Sequence, residues 1–250
     1  SHRAVGTHCV RCPKIYAAIY YERHPEHSRF SEEDHAFQYA ANTFLEKIEE
    51  NSYAGYDLGF DYQSIDIKIK IKFSAEASLR AAWDEIHRLT DGGIKKVACI
   101  AIFSHHSGNP GQSYIGGWRP GATTEESGDL YDEWNLTGGE ARELQVLSWF
   151  SENSFIFFAN CNGDEGTNSV ALAFHERQAV KVYYSRAYSY FSNSYSIHDR
   201  SWRLAIGNAT ASNVGDLYLL AFARGSENRN DPDVQNYGSG RRVWEEIHEE

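Results

Sequence analysis

Residues 95–103, KKVACIAIF, carry two lysines and then seven apolar residues in a row, Val97 to Phe103. A strand with one wet face alternates polar and apolar residues. An unbroken run of this length, rich in β-branched residues, fits a strand covered on both faces, as in a parallel sheet between helices. Its surroundings should then alternate helix and strand, and they do. Just upstream, SAEASLRAAWDEIHRLTDGG (74–93) places Leu79, Ala82, Trp83, Ile86 and Leu89 on one helical stripe, which Gly92 and Gly93 stop. Before it, DIKIKIKF (66–73) sets Ile67, Ile69, Ile71 and Phe73 against Lys68, Lys70 and Lys72. A lysine face of this kind is solvated and suits a strand near the sheet edge.

Farther upstream, KIYAAIYY (14–21) is a strand. SEEDHAFQYAANTFLEKIEEN (31–51) has Phe37, Ala40, Ala41, Phe44, Leu45 and Ile48 at helical spacing, with Ser31 and Asp34 in an N-cap arrangement. The strand runs into SHHSGNPG (104–111), and the polar stretch from Gly111 to Leu136, full of Gly and Trp, reads as one long loop, a kind that is often functional. Thr137 and Glu140 form a capping box that opens a helix over GGEARELQVLSWF (138–150). SFIFFAN (154–160) is a second buried strand, TNSVALAFHERQ (167–178) a helix and AVKVYYSRAY (179–188) a strand. WRLAIG (202–207) and DLYLLAFA (216–223) look like two more strands. GSENRNDPDVQNYGSG (225–240) is a linker-like loop, and RRVWEEIHEE (241–250) a short terminal helix. The repeated β-α-β order predicts an α/β fold with a mostly parallel β-sheet flanked by helices on both faces, a three-layer αβα arrangement. One domain is expected over 14–224, with a linker or tag remnant at 1–13 and a polar extension at 225–250.

The chain has 250 residues, 41% hydrophobic, enough for a core of this size. Its formal charge of −11 without a basic cluster argues against nucleic acid and anionic membrane as partners. No apolar run approaches the length of a membrane span, and no secretory signal pattern opens the chain. There is no Met, and the opening Ser-His reads as a tag remnant, so an excised domain of a longer protein is expected.

Four cysteines do not make a disulfide scaffold. Cys9 and Cys12 form a CxxC beside His8, but no second pair completes a zinc site; a linker or facultative disulfide is the plainer reading, and no metal or other cofactor is expected. Cys99, inside the apolar run, is a small buried hydrophobe.

Cys161 differs. The strand 95–103 ends in Ser104-His105-His106-Ser107-Gly108, and the strand 154–160 ends in Cys161-Asn162-Gly163. In open α/β sheets, ligands bind beyond the carboxyl ends of the strands. If these two strands are neighbours, a thiol and an imidazole face each other on that rim, the pairing that makes a thiolate at neutral pH. The adjacent glycines permit close backbone approach and leave N–H groups to stabilise an oxyanion. The bland alternative is an inert strand-end thiol, the commoner fate of a lone cysteine. His35, His87, His175 and His198 have no partner pattern and read as surface or satisfied-core residues.

An apolar strand followed by His among small residues, then roughly fifty residues later an apolar strand followed by Ala-x-Cys-x-Gly, resembles the caspase-like cysteine peptidases, including metacaspases, legumains and gingipains. The order of helices and strands over residues 14–190 is similar to that fold, so 14–224 would be a caspase-like catalytic domain. Two departures stand out. Caspases have Gln-Ala-Cys-Arg-Gly where this chain has Ala159-Asn160-Cys161-Asn162-Gly163, and the usual Gly after the catalytic His is absent. A Ser-His-Gly alignment selects His105; a Ser-Gly-His-Gly alignment selects His106, favoured because small Ser107 follows it.

The resemblance implies a Cys-His dyad that hydrolyses peptide bonds, with the backbone N–H of Cys161 and of a residue near Gly108 as oxyanion hole. It also implies that one charged pocket residue sets specificity. Arg23 and Arg29 would suit an acidic side chain, Asp164 and Glu165 a basic one, and Trp118 and Trp134 offer apolar walls; for the four charged residues a solvated surface is the plain alternative. The partner would be a protein or peptide substrate. The chain could be a regulated intracellular protease or the effector domain of a secreted bacterial protein, which would have an inhibitor or immunity protein. Two other readings stay open: an inactive caspase-like binding or scaffold domain, supported by the missing His-Gly, and a different thiol-dependent amidase or acyltransferase.

Overall fold

The computed structural model describes residues 12–22, 31–49, 62–74, 78–109, 112–116, 134–160, 170–185 and 244–246. In chain order the elements are β1 (Lys14–Tyr21), α1 (Ser31–Glu49), β2 (Ile67–Phe73), α2 (Leu79–Leu89), β3 (Lys96–Phe103), β4 (His105–Asn109), β5 (Gln112–Gly116), β6 (Trp134–Thr137), α3 (Gly138–Ala141), β7 (Phe155–Ala159), α4 (Val170–Gln178), β8 (Lys181–Ser185) and β9 (Trp244–Glu246). The main sheet has the order β2-β1-β3-β7-β8-β9. Its first five strands are parallel, and β9 pairs antiparallel with β8. The fold is the α/β class that the alternating pattern predicts.

The pairing register sorts the core into two faces. Tyr16, Ala18 and Tyr20 line up with Cys99, Ala101 and Phe103, and these with Phe155, Phe157 and Ala159. α1 covers this face, with the Phe44 and Phe103 rings 6.0 Å apart edge-on. Ile100 and Ile102 with Ile156 and Phe158 form the other face. There α4 and α2 pack: the Phe174 ring stands 5.2 Å from Phe158 and 5.0 Å from Trp83. The chain steps in one direction from β1 to β2 and in the other from β2 to β3 and β7 to β8. Right-handed crossovers then require the helices to change face, as they do.

β2 lies at the sheet edge, as its lysines suggest. Lys68 donates to Glu49 and Lys70 to Asn42 Oδ1 at 2.7 Å, both on α1, while Lys72 pairs with Glu22 at 3.0 Å. The foot of β1 is fixed by buried Asp66, whose carboxylate accepts from the backbone N–H of Lys14 and of Gln63, each at 2.8 Å, and pairs with Lys14 Nζ at 3.1 Å. α2 is capped by Ser78, and the chain leaves it through Gly92 and Gly93 at φ 64° and 96°, conformations that glycine adopts without strain. Cys99 is a buried thiol, and Cys12 is disulfide-bonded.

Three expectations are corrected. The helix expected over 138–150 is a single turn, Gly138–Ala141, opened by the Thr137–Glu140 capping box. Beyond it, side chains from α2 and α4 take up the backbone groups that a longer helix would have paired internally. Gln178 Oε1 accepts from Leu147 N–H, Arg177 Nε donates to Leu144 O, and Trp83 Nε1 and Gln178 Nε2 donate to Gln145 O. The stretch from Gly111 to Leu136 is not one long loop, because 112–116 and 134–137 join 105–109 in a separate antiparallel sheet. Trp244–Glu246, expected in a terminal helix, is a strand of the main sheet. Residues 202–207 and 216–223 lie outside the described residues.

Candidate functional site

β3 and β7 are adjacent and parallel, with Phe103 opposite Ala159 as the last pair. The strand order reverses between β1 and β3, so the crevice beyond their carboxyl ends is the position where doubly wound sheets bind ligands. Tyr20 pairs with Phe103 across that point. The rim is therefore formed by the ends of β1, β3 and β7.

At this rim the chain changes sheets. One residue, Ser104, separates β3 from β4. Ser104 is 1% exposed, and its Oγ has no hydrogen-bond partner among the described residues. Asn160, one residue past β7, is also buried. These two buried polar residues were not singled out from sequence. The signal was available: each is the first polar residue after a fully apolar strand, where burial has not yet ended.

β4 carries both candidate histidines. It pairs with β5 so that His105 faces Gly116, His106 faces Ile115 and Ser107 faces Tyr114. β5 pairs with β6 so that Ile115 faces Leu136 and Tyr114 faces Thr137. Neighbouring positions on a strand belong to opposite faces. Leu136 is buried in the main core. Gly108 lies in the same ladder, opposite Ser113.

Of the other candidate residues, Trp134 opens β6 opposite Gly116. Cys161, Arg23, Arg29, Asp164, Glu165 and Trp118 lie outside the described residues. Cys161 is the residue after Asn160, two beyond Ala159.

A charged cluster that sequence reasoning had treated only as solvated surface stands at the β1–β2 end of the rim. Glu22 follows β1, donates its N–H to Phe73 O at 3.0 Å and pairs with Lys72. Lys70 Nζ lies 5.7 Å from the centre of the Tyr20 ring. The Tyr20 phenol is held above its ordinary pKa, first by burial and then by the Glu22 carboxylate, with Lys72 opposing. The signal was the parallel pairing itself, which brings the last lysine of one strand level with the end of its neighbour.

His175, on α4, places its Nδ1 2.8 Å from Val180 O. Among the described residues no group of His, Cys, Asp or Glu is arranged to hold a metal ion, and no helix is long and apolar enough to cross a membrane. No known protein-family model matches the chain, and no curated protein matches it.

Proposed function

We propose that the chain is a cysteine peptidase of the caspase-like kind, with Cys161 as nucleophile and His105 as its general acid–base. One observation carries this reading: the β3–β7 register, which ends at Phe103 opposite Ala159. His105 and Cys161 each follow that pair by two residues in the sequence, an equal count from the paired strand ends that supports the dyad. The same count favours His105 over His106, which the local sequence had favoured.

The chemistry is acyl transfer. The Cys161 thiolate attacks the peptide carbonyl carbon, and the carbonyl oxygen gains the negative charge. The histidine, protonated when it took the thiol proton, gives that proton to the amine nitrogen as the C–N bond breaks. A water molecule, losing a proton to the imidazole, then attacks the thioester and releases the acid and the free thiol. The N–H of Cys161 and a backbone N–H near Gly108 are the proposed oxyanion donors, where a missing donor typically costs a factor of about 10²–10³ in rate. The substrate is an extended protein or peptide chain.

The test is the pH dependence of Cys161 alkylation by iodoacetamide, alongside cleavage of denatured casein. An activated thiol reacts with a midpoint well below the ordinary cysteine value of about 8.5. Cleavage lost in Cys161→Ala supports the peptidase. An ordinary midpoint together with no cleavage would sink it. A low midpoint without cleavage of casein or of a peptide library would transfer the site to a different thiol-dependent amidase or acyltransferase.

A further inference from the structure

We propose that Arg142 is a positioning residue for the dyad: with Glu176 it clamps α3 to α4 and so fixes where the base stands against the nucleophile. This deepens the peptidase reading and rests on it for the identity of the two reacting groups. The proposed base and nucleophile belong to different sheets. His105 opens β4 of the small sheet, and Cys161 follows β7 of the main sheet. Their separation therefore depends on how the small sheet is seated. Two chain connections join the sheets: Ser104, between β3 and β4, and the segment that runs from β6 through α3 to β7. One residue alone is a pivot. The second connection sets the angle.

That connection is stiff at its start. Thr137 ends β6 and caps α3: its N–H donates to Glu140 Oε2 at 2.8 Å, and its Oγ1 accepts from Glu140 N–H at 3.2 Å. The short helix is thereby tied to the small sheet. α3 packs on α4, with Ala141 and Phe174 both buried, and α4 also touches β5. α4 lies downstream of Cys161 in the chain. Arg142 spans this junction. Its guanidinium donates from Nε to Glu176 Oε2 on α4 at 3.2 Å, and from Nη1 to the carbonyl of Gly138, the first residue of α3, at 3.3 Å. Nη2 of the same fork stands 3.2 Å from Glu176 Oε2. A planar fork fixes direction as well as distance. Both side chains are partly exposed, so the pair adds little to stability. Orientation is a different quantity, since a displacement of about 1 Å at the reacting groups can cost a factor of about 10² in rate. Arg177 and Gln178 hold the chain beyond α3, farther from β6, and Gln178 is buried, so their loss acts on stability first.

The experiment compares the unaltered chain with Arg142→Gln, Glu176→Gln, the double variant and Arg142→Lys, using denatured casein and iodoacetamide as probes. The expected result is a fall in kcat on casein of about tenfold in each single Gln variant with KM unchanged, and no further fall in the double variant, the non-additivity of one shared contact. The alkylation midpoint of Cys161 should move toward the ordinary cysteine value in the same variants, while the thermal midpoint stays where it is. Arg142→Lys, which keeps the charge without the fork, should recover only part of the rate. Unchanged kcat and alkylation midpoint in Arg142→Gln overturn the positioning role, and so does a loss that tracks a lowered thermal midpoint. Backbone hydrogen exchange in fragments covering 112–116 and 134–137 separates this inference from the peptidase reading. Exchange about tenfold faster in Arg142→Gln, with β1 and β3 unchanged, is the expected mark of a loosened small sheet. An unaltered chain with no cleavage and an ordinary alkylation midpoint removes the peptidase and the dyad with it; faster exchange would then keep Arg142 only as the seat of the small sheet. Cleavage by the unaltered chain with unchanged exchange and kcat in the variants keeps the peptidase and removes the clamp.

Discussion

Phe103 and Ala159 close the parallel pairing of β3 and β7 at the same level, and each is followed two residues later by one member of the proposed dyad. This relationship ranks the two histidines. His105→Ala is expected to lower cleavage by about 10²–10⁴-fold, the range for a lost general acid–base, and to return the alkylation midpoint of Cys161 toward its ordinary value. His106→Ala is expected to change both far less. A loss confined to His106→Ala would assign the role to that residue instead.

Cys161→Ala is expected to abolish hydrolysis with little change in thermal midpoint, because the smaller residue adds no bulk at a strand end. Cleavage assays and calorimetry on the same preparation check it. A fully active variant would remove Cys161 from the mechanism.

Asp66→Ala is expected to destabilise the fold by about 3–5 kcal/mol in urea unfolding. It leaves the largely buried Lys14 ammonium without its carboxylate and two backbone N–H groups without their acceptor. A cost below about 1 kcal/mol, the value of an exposed pair, would mean that water replaces Asp66 freely.

Gln178→Ala is expected to cost about 1–3 kcal/mol, the penalty of an orphaned buried donor, because it frees the N–H of Leu147. Ser104→Ala should behave oppositely. Its buried hydroxyl has no partner among the described residues, so removing it should leave stability unchanged or raise it by about 1 kcal/mol. Denaturant midpoints of the two variants decide both.

The Tyr20 phenol titrates above the ordinary tyrosine value, so the neutral form is the one the fold favours. The stability this contributes is full below the unfolded pKa of about 10 and is lost as pH rises through the higher folded value. Unfolding measured on both sides of that window should show a smaller alkaline loss for Tyr20→Phe than for the unaltered chain. Equal losses would show that Tyr20 ionises as freely in the fold as outside it.

The elements built from unambiguous periodicity were legible in the sequence. Val97 to Phe103 and Phe155 to Ala159 had to be strands covered on both faces, and Leu79, Ala82, Trp83 and Ile86 had to share a helix stripe. The errors arose where tertiary partners replaced local ones. Leu144 and Leu147 have apolar spacing that a helix would use, yet Gln178, Arg177 and Trp83 take up the neighbouring backbone groups and hold the chain out of a helix. β4 and β5 are too polar to announce a sheet by hydrophobicity. Pro110-Gly111, a turn dipeptide set between Asn109 and Gln112, was the signal that could have revealed the hairpin. Trp244–Glu246 is strand only because β8 offers it an edge, which no local pattern records. For the site, sequence supplied the residue types, and only the register supplied their relative height.

The pairing of Ser185 with Trp244 also sets the order of events during synthesis. Every residue between them must leave the ribosome before β8 acquires its outer neighbour. Until then the nascent sheet ends in Lys181–Ser185, whose Val182, Tyr183 and Tyr184 are buried in the finished molecule. An open, apolar strand at the growing margin invites pairing with another chain. β9 therefore acts as a seal applied late, and a message cut short before Trp244 would release a polypeptide prone to self-association.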